Sequence, residues 1–260
     1  MIISGGKIAG GFAFNNYYTT PNVTISGNPV IDKELATANK PDCSLRLSSA
    51  DITVGTLTEG AKIMVRGTEG VFTFATGDGN DKYFGSDVAG YGVWQHTDKT
   101  LVYGRVSCIC GSTDGNHIGE CDGTKHNWMP TTSMPTTSGY YYLVGNITDN
   151  GDQRIVKDTT KTLDIYLDLN GKTVTTSRWR MYRLDSSVNL TITDNSAAKT
   201  GTIKISGSSR DQGAGVWFFS GTSSFAMYGG TIDAKYLPWE NWEKKFITDF
   251  GHLYIKDADI

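Results

Sequence analysis

No apolar run in this 260-residue sequence reaches the roughly 18 to 20 residues that a membrane-spanning helix needs. No run of Lys and Arg exceeds two residues, and the formal net charge is only -3. A role on nucleic acid or on an anionic membrane therefore has no electrostatic support. The opening "MIISGGKIAGG" lacks the basic region and the apolar stretch of a secretory signal. Proline is scarce at six residues while glycine is abundant at 31, which suggests many turns rather than disorder. Cysteine is limited to four positions, and three of them fall in one short stretch, "CICGSTDGNHIGECDGTKH" (residues 108–126).

What is present is a repeat. Ile3-Ser4-Gly5-Gly6 returns as Ile25-Ser26-Gly27-Asn28, and the same interval taken once more leads to Leu47 in "LRLSSADITVG". The second half repeats more loosely: "LDLNGKTV" from Leu167, "LTITD" from Leu190, "FAMYGGTI" from Phe225 and "LYIKD" from Leu253. Each unit is a short apolar/polar alternation, a Gly, Asn or Asp turn, and another alternation. Alternation with period two gives a strand with one buried face. Short strands with turn-forming corners, recurring every twenty-odd residues, predict stacked coils of a parallel β-helix. A β-sandwich, with a strand roughly every 8 to 12 residues, is the competing all-β reading. The segments "SGSSRDQGAGVWFFSGTS" and "AKYLPWENWEKKFITDFG" are candidate loop insertions, the second with Trp239, Trp242 and Phe246 at helical spacing.

Four segments are expected. Residues 1–55 are coils, 56–104 a β-rich cap, 105–140 a Cys/His linker, and 141–260 a second block of coils with inserted loops. The cap segment lacks the coil phrase and reads as strands at Ala61–Val65, Val71–Phe74, Gly92–Trp94 and Leu101–Tyr103. Both ends of the chain open inside a coil pattern. End-to-end stacking into filaments, or continuation into a longer chain, is expected from such uncapped coils.

The Cys/His stretch offers five soft or borderline ligands. Cys108, Cys110, His117 and Cys121 form a candidate Cys3His site for structural zinc, with His126 the alternate for His117. Glycines at 111, 115, 119 and 123 permit the tight folding that local ligation needs. A segment this polar has little core of its own, so a metal or a crosslink would supply its stability. A disulfide from Cys121 to Cys108 or Cys110 remains the alternative, with the leftover thiol reaching Cys43. A Cys/His catalytic dyad lacks a visible orienting group or oxyanion hole.

Catalytic acids would have to come from Asp164, Asp168, Asp194, Asp257 and Asp259, with Lys172 and Arg180 as the accompanying basic residues. Asp at strand ends is equally a corner residue that caps its own turn. The aromatic clusters "GYYYLV", "GVWFF" and "YLPWENW" could bind sugar rings or cover a coil end. Asn22, Asn146 and Asn189 head N-x-T triplets, which matter only in a eukaryotic secretory setting.

Leu57 to Ile63, the Cys108-x-Cys110-Gly111 phrase and Thr136 to Leu143 carry a resemblance. With the coil phrases after them, they look like the large repetitive right-handed β-helix surface proteins of gut Firmicutes, which are pectate-lyase-like in fold. The resemblance implies a right-handed coil, an extracellular or cell-surface setting, and a linker between two blocks. It implies no activity. The expected function is a non-catalytic structural or adhesive surface protein. The alternative is a glycan-binding or polysaccharide-degrading module.

Overall fold

Ile3 lies directly beside Ile25, so the first recurrence is a strand register. The structure, a computed structural model, describes residues 2–8, 12–13, 22–32, 35, 44–46, 51–67, 73–112, 115–117, 121–148, 154–155, 162–176, 180–184, 188–205, 214–218, 223–234 and 251–255. The described residues are all-β, with mostly parallel pairing and no α-helix. None of them forms a helix long and apolar enough to cross a membrane. The chain divides into two compact units, Met1–Val106 and Ser107–Ile260.

The first unit contains β1 (Ile2–Ile3), β2 (Phe12–Ala13), β3 (Asn22–Gly27), β4 (Val30–Ile31), β5 (Leu45–Arg46), β6 (Asp51–Leu57), β7 (Lys62–Arg66), β8 (Thr73–Thr76), β9 (Phe84–Ser86), β10 (Tyr91–Gln95) and β11 (Thr100–Ser107). One sheet runs β1, β3, β6, β8 in parallel and then meets β11 antiparallel, with β10 paired to β11. The other sheet is parallel, with β4 and β5 both paired to β7 and β9 following. Inward residues stack in register: Ile3 on Ile25 on Val54, Val23 on Ile52 on Ala75, Ile31 on Ile63 on Phe84. All are buried, and burial of such a column is the main favourable term for the unit.

The third repeat differs from expectation. Val54, not Leu47, lies beside Ile25, so this interval is longer than the first, and the insertion that lengthens it falls between β4 and β5. Leu47, which a fixed spacing picks out, lies outside the described residues, as does Cys43. Parallel pairing continues into the 56–104 segment through β9, and the antiparallel part is confined to β10 and β11 with its β8 contact.

In the second unit the strands are β12 (His126–Thr131), β13 (Gly139–Leu143), β14 (Ile147–Thr148), β15 (Arg154–Ile155), β16 (Leu163–Asp168), β17 (Thr173–Thr176), β18 (Arg180–Leu184), β19 (Val188–Thr193), β20 (Thr202–Ile205), β21 (Ala214–Phe218), β22 (Ser223–Met227), β23 (Thr231–Ala234) and β24 (Gly251–Ile255). From β13 to β23, successive strands visit three sheets in turn, and β24 rejoins the first. β12, β13, β16, β19, β22 and β24 make the first; β14, β17, β20 and β23 the second; β15, β18 and β21 the third. Every pair within these three is parallel.

Apolar residues again form columns: Ile165 on Leu190 on Phe225, Leu167 on Ile192 on Met227, and Val174 on Ile203 on Ile232. Leu190 therefore sits beside Ile165 rather than Leu167, one pleat from the sequence alignment. The next intervals fall where the sequence puts them, Leu190 beside Phe225 and Phe225 beside Leu253. Part of "SGSSRDQGAGVWFFSGTS" is not loop: it supplies β21, which pairs with β18. Trp239, Trp242, Phe246, Asp257 and Asp259 lie outside the described residues.

Candidate metal centre

Between the end of β11 and the start of β12 the chain carries no strand among its described residues, and here the ligands converge. The ligating atoms of Cys108, Cys110, His117 and Cys121 all lie within 4.8 Å of one another, a group able to hold a metal ion. Cys108 Sγ is 3.6 Å from Cys110 Sγ. His117 Nδ1 is 3.7 Å from Cys108 Sγ, 3.5 Å from Cys110 Sγ and 3.7 Å from Cys121 Sγ. Nδ1 is thus the ring nitrogen that faces all three sulfurs. The three cysteines are buried and unbridged, while His117 faces solvent.

The local backbone explains how four ligands reach one point. Cys108 and Cys110 flank a tight turn closed by Gly111 N–H donating to Cys108 O at 3.1 Å. Gly111 is in the left-handed region, with φ +68°, and a Cβ there would lie 2.5 Å from Asn195 Cγ. Gly123, with φ +82°, lets the His117 ring close over it, since a Cβ would lie 2.6 Å from Nε2. Trp128, buried on β12, donates its indole N–H to Ser107 O at 2.9 Å and so anchors the segment's start.

Burial pushes the Cys108 thiol up to about 11, and the neighbouring Cys110 and Cys121 add to the shift. The Cys108 thiol therefore stays neutral at pH 7 when no metal is bound. A divalent cation favours the thiolate of any cysteine that binds it.

His126, the alternate ligand, is elsewhere. Its ring stacks on Tyr140 at 4.0 Å and 11°, and burial lowers its pKa against the opposing charge of Asp122. Tyr140 stacks in turn on Tyr166 at 4.4 Å, and Trp128 meets it edge-on. Rings on both sides of Tyr140 leave it no open face for a sugar. Its hydroxyl is pushed up to about 12 by burial first and by Tyr166 next.

The candidate catalytic acids separate. Asp168 and Asp194 are 1% and 0% exposed and hold backbone. Asp168 Oδ1 accepts from Asn170 N at 2.8 Å and from Asn195 N at 2.9 Å. Asp194 accepts from Gly171 N at 2.9 Å, Ser196 N at 3.1 Å and Gly201 N at 2.5 Å. Both are corner residues. Asp164 is exposed and accepts from Asn189 Nδ2 at 2.8 Å, and Asn189 Oδ1 accepts from Ser224 Oγ at 2.6 Å. That row joins three adjacent strands of the first sheet. The side chain of Arg180 lies outside what is described.

Sequence reasoning missed Asn195. It stands 86 positions from Ile109, whose carbonyl its side chain binds at 3.2 Å. No local signal marks it, since "DN" after a strand reads as an ordinary turn. No family model, curated protein or solved structure matches the chain.

Proposed function

We propose that the chain is a non-catalytic structural protein built of right-handed parallel β-helix coils, with a structural zinc ion held by Cys108, Cys110, His117 and Cys121. Support for coils comes from the second unit, where the chain visits three parallel sheets in turn and visits to the first two add layers to the apolar columns there. The right hand follows from the general preference of parallel crossovers.

The observation that carries the functional reading is the closed ligand set. A tetrahedral zinc with Zn–S of about 2.3 Å and Zn–N of about 2.0–2.1 Å fixes S···S edges of about 3.8 Å and S···N edges of about 3.5 Å. Four of the six edges, the observed 3.6 Å and three of 3.5–3.7 Å, lie near those figures, and no two ligand atoms are more than 4.8 Å apart. Four protein ligands fill a tetrahedron and leave no position for substrate or water, which is the pattern of structural rather than catalytic zinc. The buried acids support the same reading, because backbone amides already occupy Asp168 and Asp194.

The setting we propose is extracellular or cell-surface, on the resemblance to repetitive β-helix surface proteins. The proposed partner is another coil surface, in a second copy or in a longer chain, because open coil ends template further strands. Incubation with pectins, mucins and plant glycans should yield no products. Turnover that Asp164→Asn abolishes would overturn the non-catalytic reading.

A further inference from the structure

The metal cluster does not stand on its own backbone. Ile109, between two of its cysteines, presents its carbonyl to Asn195 Nδ2 at 3.2 Å. The turn at Gly111 packs so closely on Asn195 that a Cβ would lie 2.5 Å from Cγ. Asn195 is itself fixed at every polar group that matters here. Its Oδ1 accepts from Thr193 Oγ1 at 3.1 Å, and its backbone N–H donates to Asp168 Oδ1 at 2.9 Å. The same carboxylate oxygen holds Asn170 N at 2.8 Å, and Asn170 Nδ2 reaches Leu143 O at 2.8 Å. A continuous hydrogen-bonded path thus runs from the cysteine turn through Asn195, Asp168 and Asn170 to the end of β13, across β19 and β16.

Resting on the zinc reading above, we infer that Asn195 is the positioning residue of the metal site, and that metal occupancy and the Asp168–Asn170–Asn195 path stabilise one another. An amide serves both contacts at this position. Its Nδ2 donates to the Ile109 carbonyl, which can only accept, and its Oδ1 accepts from Thr193 Oγ1. An aspartate keeps the shape and the acceptor but turns an oxygen toward a carbonyl oxygen beside three thiolates. Groups that orient a ligand through hydrogen bonds typically change metal affinity by 10- to 100-fold, and linkage makes the effect reciprocal.

The test uses the full chain loaded with Zn2+ and titrated with a competing chromogenic chelator. Asn195→Asp should bind Zn2+ roughly 10- to 100-fold more weakly than the unaltered chain. Asn189→Ala, which breaks the Asp164–Asn189–Ser224 row on the same sheet, should stay within about 2-fold because it shares no partner with the site. Hydrogen exchange on the unaltered chain needs no variant: chelation should lower protection of the Asn170 and Asn195 amides and leave β20 and β23 unchanged. Binding of one Zn2+ per chain with Asn195→Asp unaffected, equal weakening by Asn189→Ala, or unchanged amide protection on chelation would each overturn the coupling. Failure of the unaltered chain to bind Zn2+ at all would instead overturn the zinc reading on which it rests.

Discussion

Asp194 is fully buried, and its carboxylate holds three backbone amides, that of Gly201 in a buried bond and those of Gly171 and Ser196 in part-buried ones. Removing it takes the acceptor from all three and leaves the Gly201 amide buried without one. Asp194→Ala should therefore cost about 3 kcal/mol or more in urea unfolding, with Asp194→Asn, which keeps one acceptor oxygen, intermediate. A loss below about 1 kcal/mol for the alanine variant would contradict that role. Gly123 is constrained by the metal site instead. Gly123→Ala combines a positive φ of +82° with a Cβ 2.6 Å from the His117 ring, so metal affinity should fall, as read by chelator competition. Tyr140 gives the pH dependence. Its pKa is raised from the ordinary tyrosine value near 10 to about 12 by burial. An acid with a raised folded pKa contributes stability that is complete below the unfolded value and is lost as pH rises through the folded one. Stability should therefore decline between about pH 10 and pH 12, and Tyr140→Phe should flatten that decline in thermal unfolding scans.

At the scale of strands and turns, stability lies in the columns. Leu190 touches Ile165 on one side and Phe225 on the other, and all three are buried. Leu190→Ala should cost about 2–5 kcal/mol through lost transfer energy and the cavity left behind. Denaturant midpoints would check it, and a cost under about 1 kcal/mol would mean the column is not continuous. The same elements show what was legible in advance. The Ile3–Ile25 register was readable because two nearly identical phrases sit one repeat apart. The next register was not, because residues added between β4 and β5 carry the partner of Ile25 on to Val54, and a fixed period cannot locate an insertion. β21 was hidden for the same reason, inside a segment whose glycines and serines resemble loop. The four ligands were readable because they fall within fourteen consecutive positions and because zinc chemistry restricts the residue types. Asn195 was not, since its partner is distant in sequence and its side chain acts through a single carbonyl. His126 fits the ligand spacing, but β12 starts there and directs its ring onto Tyr140.

At the scale of the molecule, the polar ligand segment belongs to the second unit, Ser107–Ile260, and its ligands lie at the start of that unit. It has little apolar surface to bury, so on the zinc reading proposed above it is metal binding free energy that orders it. Chelation should then reduce hydrogen-exchange protection in the ligand segment most of all and at the Asn170 and Asn195 amides, and leave β3 and β6 of the first unit as protected as before. Loss of protection in β3 and β6 would contradict a site local to the second unit. The most direct test of the central claim is zinc analysis combined with X-ray absorption on protein purified without chelator. The expected result is close to one zinc per chain, with three sulfur neighbours at about 2.3 Å and one nitrogen at about 2.0 Å. Protein free of metal, with an intact mass two hydrogens short, would contradict it and show that the cysteines pair with each other.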